Sequence, residues 1–416
     1  MFFIYDILYF IVLTLMLPLE YMKRPAGLRA RWLRERFGYY EKMTVSSGTI
    51  WVHAVSVGEV ITAVPLIRRL KERHPSLGVI LSTVTDTGQK VAMEQACDIA
   101  TVIYVPFDLP ASLIRMLLHF KPSLLIIMET ELWPNIIRTA KANGLRVLLM
   151  NGRISEKSFK GYKKLKFFFE SILKKIDFFC MQVEAYAERI IELGADPLRV
   201  AVIGSFKFDT RPSSPVPAWT NILGRPVIIA GSTHRTEEEL IIGVYDRLKN
   251  AFPALNLIVA PRHPERFDEV EGLLKSRNAP YLRASQLEGR ENLGKTEGVV
   301  VLMDVMGCLS SVYGAADIAV MGGTFIEHGG QNPLEPAYWG KAIVCGPHME
   351  NFPFIGEFYK NRGAVEVSSE TLYETLKGLL EDPGGISLMG LTAKSLYEKN
   401  AGAVERAVEV VGRYLK

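Results

Sequence analysis

Short, continuous apolar segments recur along most of this chain and alternate with stretches of helical periodicity. After Thr49 the apolar segments include VILSTVT, TVIYVPF, LLIIMET and RVLLMNG, and the helical stretches include ASLIRMLLHF and AYAERIIELG. Strands that are apolar on both faces are typical of parallel sheets covered by helices on both sides. The pattern therefore predicts an α/β chain built on a doubly wound parallel sheet.

The alternation stops at the Pro- and Ser-rich stretch FDTRPSSPVPAWTN and then begins again with PVIIAGS, LNLIVAP, GVVVLMD, DIAVMGG and KAIVCGP. With 416 residues, 48% of them hydrophobic, the chain is long enough for two cores. We expect two Rossmann-like domains facing a central cleft, over 23–210 and 223–395, joined by a linker at 211–222. The last segment, 396–416, is helical in pattern and can pack back on the first domain.

The first residues of the chain form an apolar run, Phe2–Leu17, which is interrupted only by Asp6. The run is slightly short for a bilayer span of about 20 residues, and it lacks both a basic start and a small-residue cleavage site. Lysines and arginines follow it directly, which is typical of the cytoplasmic side of a membrane. We therefore expect residues 1–22 to be an uncleaved membrane anchor at the cytoplasmic face of the inner membrane; the alternative is a buried first helix of a soluble domain.

A second segment, 155–175, is also unusual, because its lysines interleave with phenylalanine, tyrosine and leucine. A basic amphipathic helix of this kind can lie on a membrane surface. It can equally be a core helix with a solvated lysine face. The sequence leaves both interpretations open.

Charge, cysteines and missing motifs exclude several functional classes. A net charge of +4 gives no support for a nucleic-acid partner. The four cysteines are far apart, have no zinc-like spacing and are expected to be reduced thiols. The chain has no Walker lysine, no Gly-x-Gly-x-x-Gly after the first strand of either domain, and no Asp-x-Asp metal signature. We expect no metal and no resident cofactor, which favours a nucleotide-sugar enzyme over a dehydrogenase or an ATPase.

Ionisable residues follow three of the predicted strands in the first domain. Glu59 lies in the first turn of a helix after the strand TIWVHA, where the helix dipole alone would stabilise it by a few tenths of a kcal/mol up to about 1. Glu129 and Glu131 end a very apolar strand, where carboxylates are costly unless paired or functional. Lys207 lies in GSFKFD, close to the predicted linker; it can also be a surface lysine paired with Asp209, and Glu131 can simply begin the next helix.

The second domain has a basic pair and a glycine-rich stretch after predicted strands. Arg262 and His263 lie in PRHPERF, and a guanidinium can form two hydrogen bonds to a phosphate. The stretch MGGTFIEHGGQNPLEP predicts a glycine-rich turn and a helix that begins near Asn332, with Pro333 in its first position. A phosphate or a nucleotide is the expected ligand.

Six motifs, in this order and over nearly the entire chain, resemble those of the bacterial Kdo transferases: HAVSVGE, METELWPN, GSFKFD, PRHPERF, GGQNPLEP and GPHMENF. These are membrane-anchored GT-B glycosyltransferases of lipopolysaccharide biosynthesis, which add 3-deoxy-D-manno-octulosonic acid (Kdo) to the lipid A precursor. The resemblance implies CMP-Kdo as donor substrate, the lipid A precursor as acceptor, membrane lipids as partners and an inverting displacement.

The resemblance also implies roles for particular residues. Glu59 matches the general base, and Glu129 and Lys207 match positions that support the transition state. The segments around CMP match Arg262, His263, Met306, Gly307, Cys308, Asn332, Pro333, Leu334 and Glu335. Two positions depart from the family pattern: Cys308 replaces a usual Glu, and Gln331 replaces a common His.

Two other functions remain open from the sequence. One is a different two-domain nucleotide-sugar enzyme, such as a UDP-sugar transferase or an epimerase. The other is a membrane-attached scaffold that has kept the fold without the chemistry.

Overall fold

The computed structural model describes residues 2–41, 48–209, 211–212, 214–289 and 294–415. The chain divides into two compact units. Unit 1 comprises Met1–Asp209 and Ala401–Lys416, and unit 2 comprises Thr210–Asn400. Within the segment predicted as a linker, Ala218–Ile222 form a 3₁₀-helix with Trp219 buried.

Unit 1 contains a seven-stranded parallel sheet in the order β3-β2-β1-β4-β5-β6-β7. Its strands are β1 (Ile50–His53), β2 (Val79–Thr83), β3 (Thr101–Tyr104), β4 (Leu124–Met128), β5 (Arg146–Gly152), β6 (Phe178–Met181) and β7 (Val200–Val202). The strand order reverses between β1 and β4, and ligands of open parallel sheets bind at such a point, outside the carboxyl ends of the strands.

Two helices precede β1, and helices also lie between the strands, as the sequence pattern predicts. They are α1 (Phe2–Lys23), α2 (Ala26–Arg36), α3 (Val57–Arg73), α4 (Asp86–Ala96), α5 (Pro110–Phe120), α6 (Pro134–Ala142), α7 (Glu156–Lys164), α8 (Lys166–Leu173) and α9 (Glu184–Glu192). Both faces of the sheet are buried: in β1, Ile50 and Val52 pack into one apolar cluster and Trp51 packs into another. This alternation explains why the strands are continuous apolar runs.

Unit 2 repeats the architecture with a seven-stranded parallel sheet in the order β10-β11-β9-β8-β12-β13-β14. Its strands are β8 (Val227–Thr233), β9 (Asn256–Pro261), β10 (Tyr281–Arg283), β11 (Val300–Leu302), β12 (Ile318–Met321), β13 (Ala342–Cys345) and β14 (Ala364–Glu366). Its helices are α10 (Glu237–Lys249), α11 (Phe267–Ser276), α12 (Leu309–Val312), α13 (Leu334–Tyr338), α14 (Ile355–Lys360), α15 (Leu372–Glu381) and α16 (Pro383–Asn400). The reversal of strand order falls between β8 and β12.

The chain then returns to unit 1 as α17 (Ala403–Gly412). Residue Gly402 precedes it with φ of +86°, a left-handed conformation that separates α16 from α17. The apolar side of α17 packs into the same cluster as α3, and its first turn receives the carboxylate of Asp209. The C-terminal segment is therefore two helices, one in each unit.

Candidate functional site

Glu59 lies at the reversal of strand order in unit 1, in the first turn of α3. Ser56 is the N-cap residue of this helix, so the sequence Ser56-Val57-Gly58-Glu59 has the spacing of a capping box. The Glu59 carboxylate accepts the backbone N–H of Val55 at 2.8 Å and the hydroxyl of Ser56 at 3.0 Å. These bonds hold the carboxylate in one position at the end of β1.

The surroundings of Glu59 favour its protonated form more than an ordinary helix start would. Its side chain is buried, with 7% of the residue exposed. Burial raises the pKa of this carboxyl to about 7, against the two hydrogen bonds, and the charges of Glu131 and Glu129 raise it further. Glu59 is thus a carboxylate with the proton affinity of a base that works near neutral pH.

Glu129 follows β4, the strand next to β1, and has φ of +53°. This left-handed backbone conformation is unfavourable for a residue with a side chain, and such residues concentrate at functional sites. The Glu129 N–H donates to the carbonyl of Met150 at 2.8 Å. Burial raises the pKa of the Glu129 carboxyl, while the charges of Lys207 and Arg153 lower it.

Arg153 is a member of this cluster that the sequence analysis missed. It follows β5 and is brought to Glu129 by Thr130, whose hydroxyl donates to the Arg153 carbonyl and accepts the Arg153 N–H at 3.2 Å. The only sequence signal was an arginine directly after a strand. The loops after β4 and β5 are therefore fastened to each other.

Lys207 lies in a 3₁₀-helix, Phe206–Asp209, that follows β7. The Phe206 N–H donates to Asn151 Oδ1 at 3.1 Å, and this bond ties the segment to the end of β5. Burial lowers the pKa of the Lys207 ammonium group, and the Glu129 charge opposes that shift. The structure brings Glu59, Glu129 and Lys207 into one electrostatically coupled group at the carboxyl ends of the unit 1 strands.

Four of the predicted ligand residues of unit 2 line one cavity of about 180 Å³: Arg262, Met306, Gly307 and Glu335. Ser232, the last residue but one of β8, has φ of +56° and lies on the wall of this cavity together with Ala260 and Pro261 of β9. The cavity thus opens near the reversal of strand order in the second sheet, where ligands of such sheets bind.

Glu335 introduces a carboxylate into this cavity. Burial raises the pKa of its side chain to about 7, opposed by the charge of Arg262 and by a hydrogen bond from Asn332. The Leu334 N–H donates to Asn332 Oδ1 at 3.2 Å, while Pro333 and Leu334 themselves are buried. Asn332, Pro333 and Leu334 therefore support the position of Glu335.

Cys308 lies between two residues that line the cavity, Gly307 and Leu309. Its thiol is half-buried and is directed to the Val305 carbonyl at 3.7 Å, and burial raises the pKa of the thiol. Gly307 has φ of +86°, so this turn needs a residue without a side chain there. The turn presents backbone together with an uncharged side chain at the position where the resembling family has Glu.

The glycine-rich turn after β12 differs from the expected open anion site. The carboxylate of Glu237 accepts four backbone N–H groups, those of His234, Gly323, Thr324 and Phe325, at 2.7–3.0 Å. The N–H groups at the start of this turn therefore already bind an anion supplied by α10. The helix expected near Asn332 is α13, which begins at Leu334 with Pro333 as its N-cap residue and has only five residues.

His263, predicted beside Arg262, belongs to a group of imidazoles. Its ring lies 5.5 Å from the ring of His234, which lies 4.2 Å from that of His328. His234 Nε2 is 3.3 Å from Gln331 Nε2. Burial lowers the pKa of His234 to about 4, and the neighbouring imidazoles and arginines lower it further. Sequence reasoning missed this group because its members come from three separate loops.

No group of three or more His, Cys, Asp and Glu side chains suited to a metal ion is found within the described ranges. The four cysteines are free thiols, with Cys180 and Cys345 buried and Cys97 exposed.

Residues 31–210 match the sequence model of the family described as 3-deoxy-D-manno-octulosonic-acid transferase (kdotransferase). A 3-deoxy-D-manno-octulosonic acid transferase of Haemophilus influenzae is 33% identical over 394 residues, which cover 92% of this chain and 91% of that protein.

Solved structures with 12–13% identity share the fold. They include the UDP-GlcNAc 2-epimerase of Neisseria meningitidis bound to UDP-GlcNAc, with a TM-score of 0.59 over 88% of this chain and 100% of that one. They also include MurG of Acinetobacter baumannii, with a TM-score of 0.54 over 88% and 99% of the two chains.

The two parallel seven-stranded sheets, with ionisable groups at the carboxyl ends of the first and a cavity at those of the second, define a fold of the GT-B type. The predicted fold class is confirmed. At 33% identity over nearly its whole length, the chain belongs to the 3-deoxy-D-manno-octulosonic acid transferase family.

Proposed function

We propose that this glycosyltransferase moves Kdo from CMP-Kdo to a hydroxyl group of the lipid A precursor, at the cytoplasmic face of the inner membrane, with Glu59 as general base. Family membership supports the transferred sugar. The observation that carries the catalytic part is the Glu59 carboxylate, held at the strand reversal of unit 1 with a pKa raised to about 7.

The proposed reaction is a single displacement. The Glu59 carboxylate takes the proton of the acceptor hydroxyl while the hydroxyl oxygen forms a bond to the anomeric carbon of Kdo. The bond from that carbon to the phosphate oxygen of CMP breaks, and CMP leaves with the electron pair. A positioned base of matched pKa contributes about 10²- to 10⁴-fold to such a rate.

The charged side chains near Glu59 can stabilise the charge that develops on the sugar during this displacement. The sugar centre becomes positively charged in the transition state, and the carboxylate of Glu129 can stabilise that charge. Burial raises the pKa of the Glu129 carboxyl, and the charges of Lys207 and Arg153 oppose that rise and so favour its ionised form. We infer that this pairing supports the transition state and takes no proton itself.

In unit 2 we propose that the cavity at Arg262 binds the CMP part of the donor. The guanidinium group can form two hydrogen bonds to the phosphate, and it favours the negative charge that develops as CMP leaves. Gly307 allows the backbone to approach the nucleotide closely. The reaction uses the electrophilic donor directly, so we propose that it needs no metal and no cofactor.

A lipid acceptor requires a protein that works at a bilayer. Among the described residues one helix, α1, is long and apolar enough to cross a membrane. This feature supports the proposed membrane location.

The decisive experiment is Glu59→Gln in the full-length enzyme, with transfer to lipid A precursor measured by mass spectrometry. The amide oxygen can still accept the Val55 N–H, and the amide NH2 can donate to the Ser56 hydroxyl oxygen. The amide cannot take a proton, so we expect the turnover number to fall by about 10²- to 10⁴-fold. Glu72→Gln is the matched control, since Glu72 is an exposed glutamate of the same helix. Near-native turnover by Glu59→Gln would assign the base to another residue.

A further inference from the structure

Helix α1 carries its partly buried side chains in one stripe along its whole length. These are Phe2, Tyr5, Asp6, Tyr9, Leu13, Leu17, Glu20 and Tyr21. Residues three and four apart share a helix face, so the stripe is one face. The rest of the helix exposes Phe3, Ile4, Ile7, Leu8, Phe10, Ile11, Val12, Leu15, Met16, Leu19 and Met22.

Polar side chains at the start of the stripe fasten it to unit 1. Tyr5 donates its hydroxyl to Asp108 Oδ2 at 2.7 Å, and the Asp108 N–H donates to the hydroxyl of Tyr9 at 3.0 Å. Asp6 accepts a hydrogen bond from Asn135 Nδ2 at 2.7 Å and pairs with Arg138 at 3.1 Å. The single charge that interrupts the apolar run is therefore compensated by the body of unit 1.

The remainder of the stripe also packs against unit 1. Tyr9, Leu13, Leu17 and Tyr21 pack against a cluster that contains Trp32, Tyr104 and Phe107. Just beyond the helix, Arg24 is buried, pairs with Asp86 at 3.2 Å and lies 4.0 Å over the ring of Trp32. Contacts with unit 1 thus run from one end of α1 to the other.

This attachment is incompatible with a helix that leaves the protein to cross a bilayer. A helix of 22 residues is about 33 Å long, which is about the thickness of the hydrocarbon layer. If α1 crossed that layer, the ionised side chains of unit 1 along it would enter hydrocarbon, at several kcal/mol each. An orientation parallel to the membrane surface avoids this cost and still buries the exposed apolar face.

Helices α7 and α8 extend the same surface. The ring of Phe168 packs 5.5 Å from that of Phe2 and 6.0 Å from that of Tyr5, while Leu165 and Phe167 are 57% and 77% exposed. The segment 155–175 contains seven lysines and two glutamates, a net charge of +5. An apolar edge surrounded by lysines complements an anionic lipid surface.

We propose that the exposed face of α1 and the Leu165–Phe167 edge, together the lipid-facing surface, lie in the plane of an anionic phospholipid leaflet, so that the enzyme does not span the bilayer. This membrane orientation adds to the proposed function, and it depends on that function only for the identity of the lipid acceptor. The surface also lies near the carboxylates of unit 1, since Tyr162 of α7 and Trp133 pack against the same apolar cluster, and the indole N–H of Trp133 donates to Glu131 Oε2 at 2.8 Å. A lipid acceptor held in the leaflet reaches Glu59 from this side.

The orientation of α1 is tested by the depth of nitroxide amino acids placed at Phe3, Ile11 or Leu19 of the full-length protein on vesicles of phosphatidylethanolamine and phosphatidylglycerol. An in-plane helix gives three similar depths, within about 5–10 Å of the headgroup boundary. Accessibility profiles with Ile11 at the bilayer centre and the other two near opposite surfaces would show a spanning helix and overturn the proposal.

The contribution of α8 is tested by flotation of a Leu165→Glu/Phe167→Glu variant with the same vesicles. We expect its partition to fall by at least about tenfold, because two apolar side chains no longer enter the leaflet. Leu198→Glu is the matched control, since Leu198 is an exposed leucine of unit 1 outside the lipid-facing surface. Equal partition of both variants, or a stable dimer of the wild type that ignores vesicles, would overturn the proposal.

Activity separates this inference from the proposed function. The Leu165→Glu/Phe167→Glu variant should transfer sugar normally to an acceptor dispersed in detergent and at least about tenfold more slowly to the same acceptor in a bilayer. Equal losses with both acceptors would contradict the membrane role. A wild type that binds vesicles but transfers nothing to either acceptor would contradict only the proposed function.

Discussion

Two buried glutamates at helix starts show how the surroundings of a residue decide its chemistry. Glu59 and Glu237 each lie in the first turn of a helix that follows the first strand of its sheet. Four backbone N–H groups surround Glu237, which therefore serves to fix a loop. Glu59 accepts two hydrogen bonds and faces two other carboxylates, so its proton affinity is raised.

The raised pKa of Glu59 predicts the pH dependence of transfer. A general base must be deprotonated, so kcat/KM should fall about tenfold per pH unit below pH 7 and level off above it. Initial rates measured from about two pH units below pH 7 to above it test this acidic limb, the part of the pH profile in which kcat/KM falls. In Glu129→Gln the loss of a neighbouring negative charge should move the limb to lower pH, whereas Asp98→Asn, an exposed change, should leave it in place. A limb near pH 4.3, the ordinary value for Glu, would contradict the assignment.

Strand ends were the informative positions for sequence reasoning at the residue scale. Arg262, Met306, Gly307 and Glu335 were predicted around one ligand, and the fold places all four on one cavity wall. Arg153 and Glu237 were missed, since each contacts its partners through another loop. Nothing local in NGRISEK or THRTEEE indicates that contact.

At the scale of elements, Asp209 links the Lys207 segment to the end of the chain. Both its carboxylate oxygens accept backbone N–H groups at the start of α17, from Gly402 and from Val404. From the sequence alone, Asp209 can be a salt-bridge partner of Lys207. In the structure its carboxylate caps a helix about 190 residues away in sequence.

We therefore expect Asp209→Ala to weaken the docking of α17 on unit 1. Loss of a cap with two hydrogen bonds lowers stability by about 1–3 kcal/mol. It should also reduce turnover, because Lys207 shares a 3₁₀-helix with Asp209. Thermal melting and transfer assays measure both effects. Asp98→Ala is the control, since removal of an exposed ion pair changes stability by less than about 1 kcal/mol; equal melting temperatures for the two variants would contradict the capping role.

At the scale of the whole molecule, two similar units carry different tasks. Unit 1 has the coupled carboxylates and the lipid-facing surface, and unit 2 has the cavity at Arg262. Because the proposed nucleotide site lies in unit 2, we expect a bound nucleotide to stabilise unit 2 and not unit 1. Which nucleotide does so distinguishes a CMP-Kdo transferase from the alternative of a UDP-sugar enzyme.

We expect CMP to raise the melting temperature of unit 2 and UDP to do little. At about 100 times its dissociation constant a ligand stabilises by about 2.7 kcal/mol. Arg262→Ala should abolish most of the shift, because the phosphate loses its bidentate partner. Arg277→Ala serves as control, since Arg277 pairs with Asp246 on the outer helices of unit 2. A larger shift with UDP than with CMP would favour the UDP-sugar alternative.

The sequence by itself determined the two parallel sheets, their helices and the apolar character of α1. Strands buried on both faces and amphipathic helices each produce a characteristic spacing of apolar residues, which can be recognised within a short segment. Ordered motifs further indicated the family. Only the tertiary structure decided that α1 lies along unit 1, that Glu237 fills the glycine-rich turn and that Arg153 joins Glu129. These contacts join segments far apart in sequence, and their energies depend on burial and charge in three dimensions, which no single segment encodes.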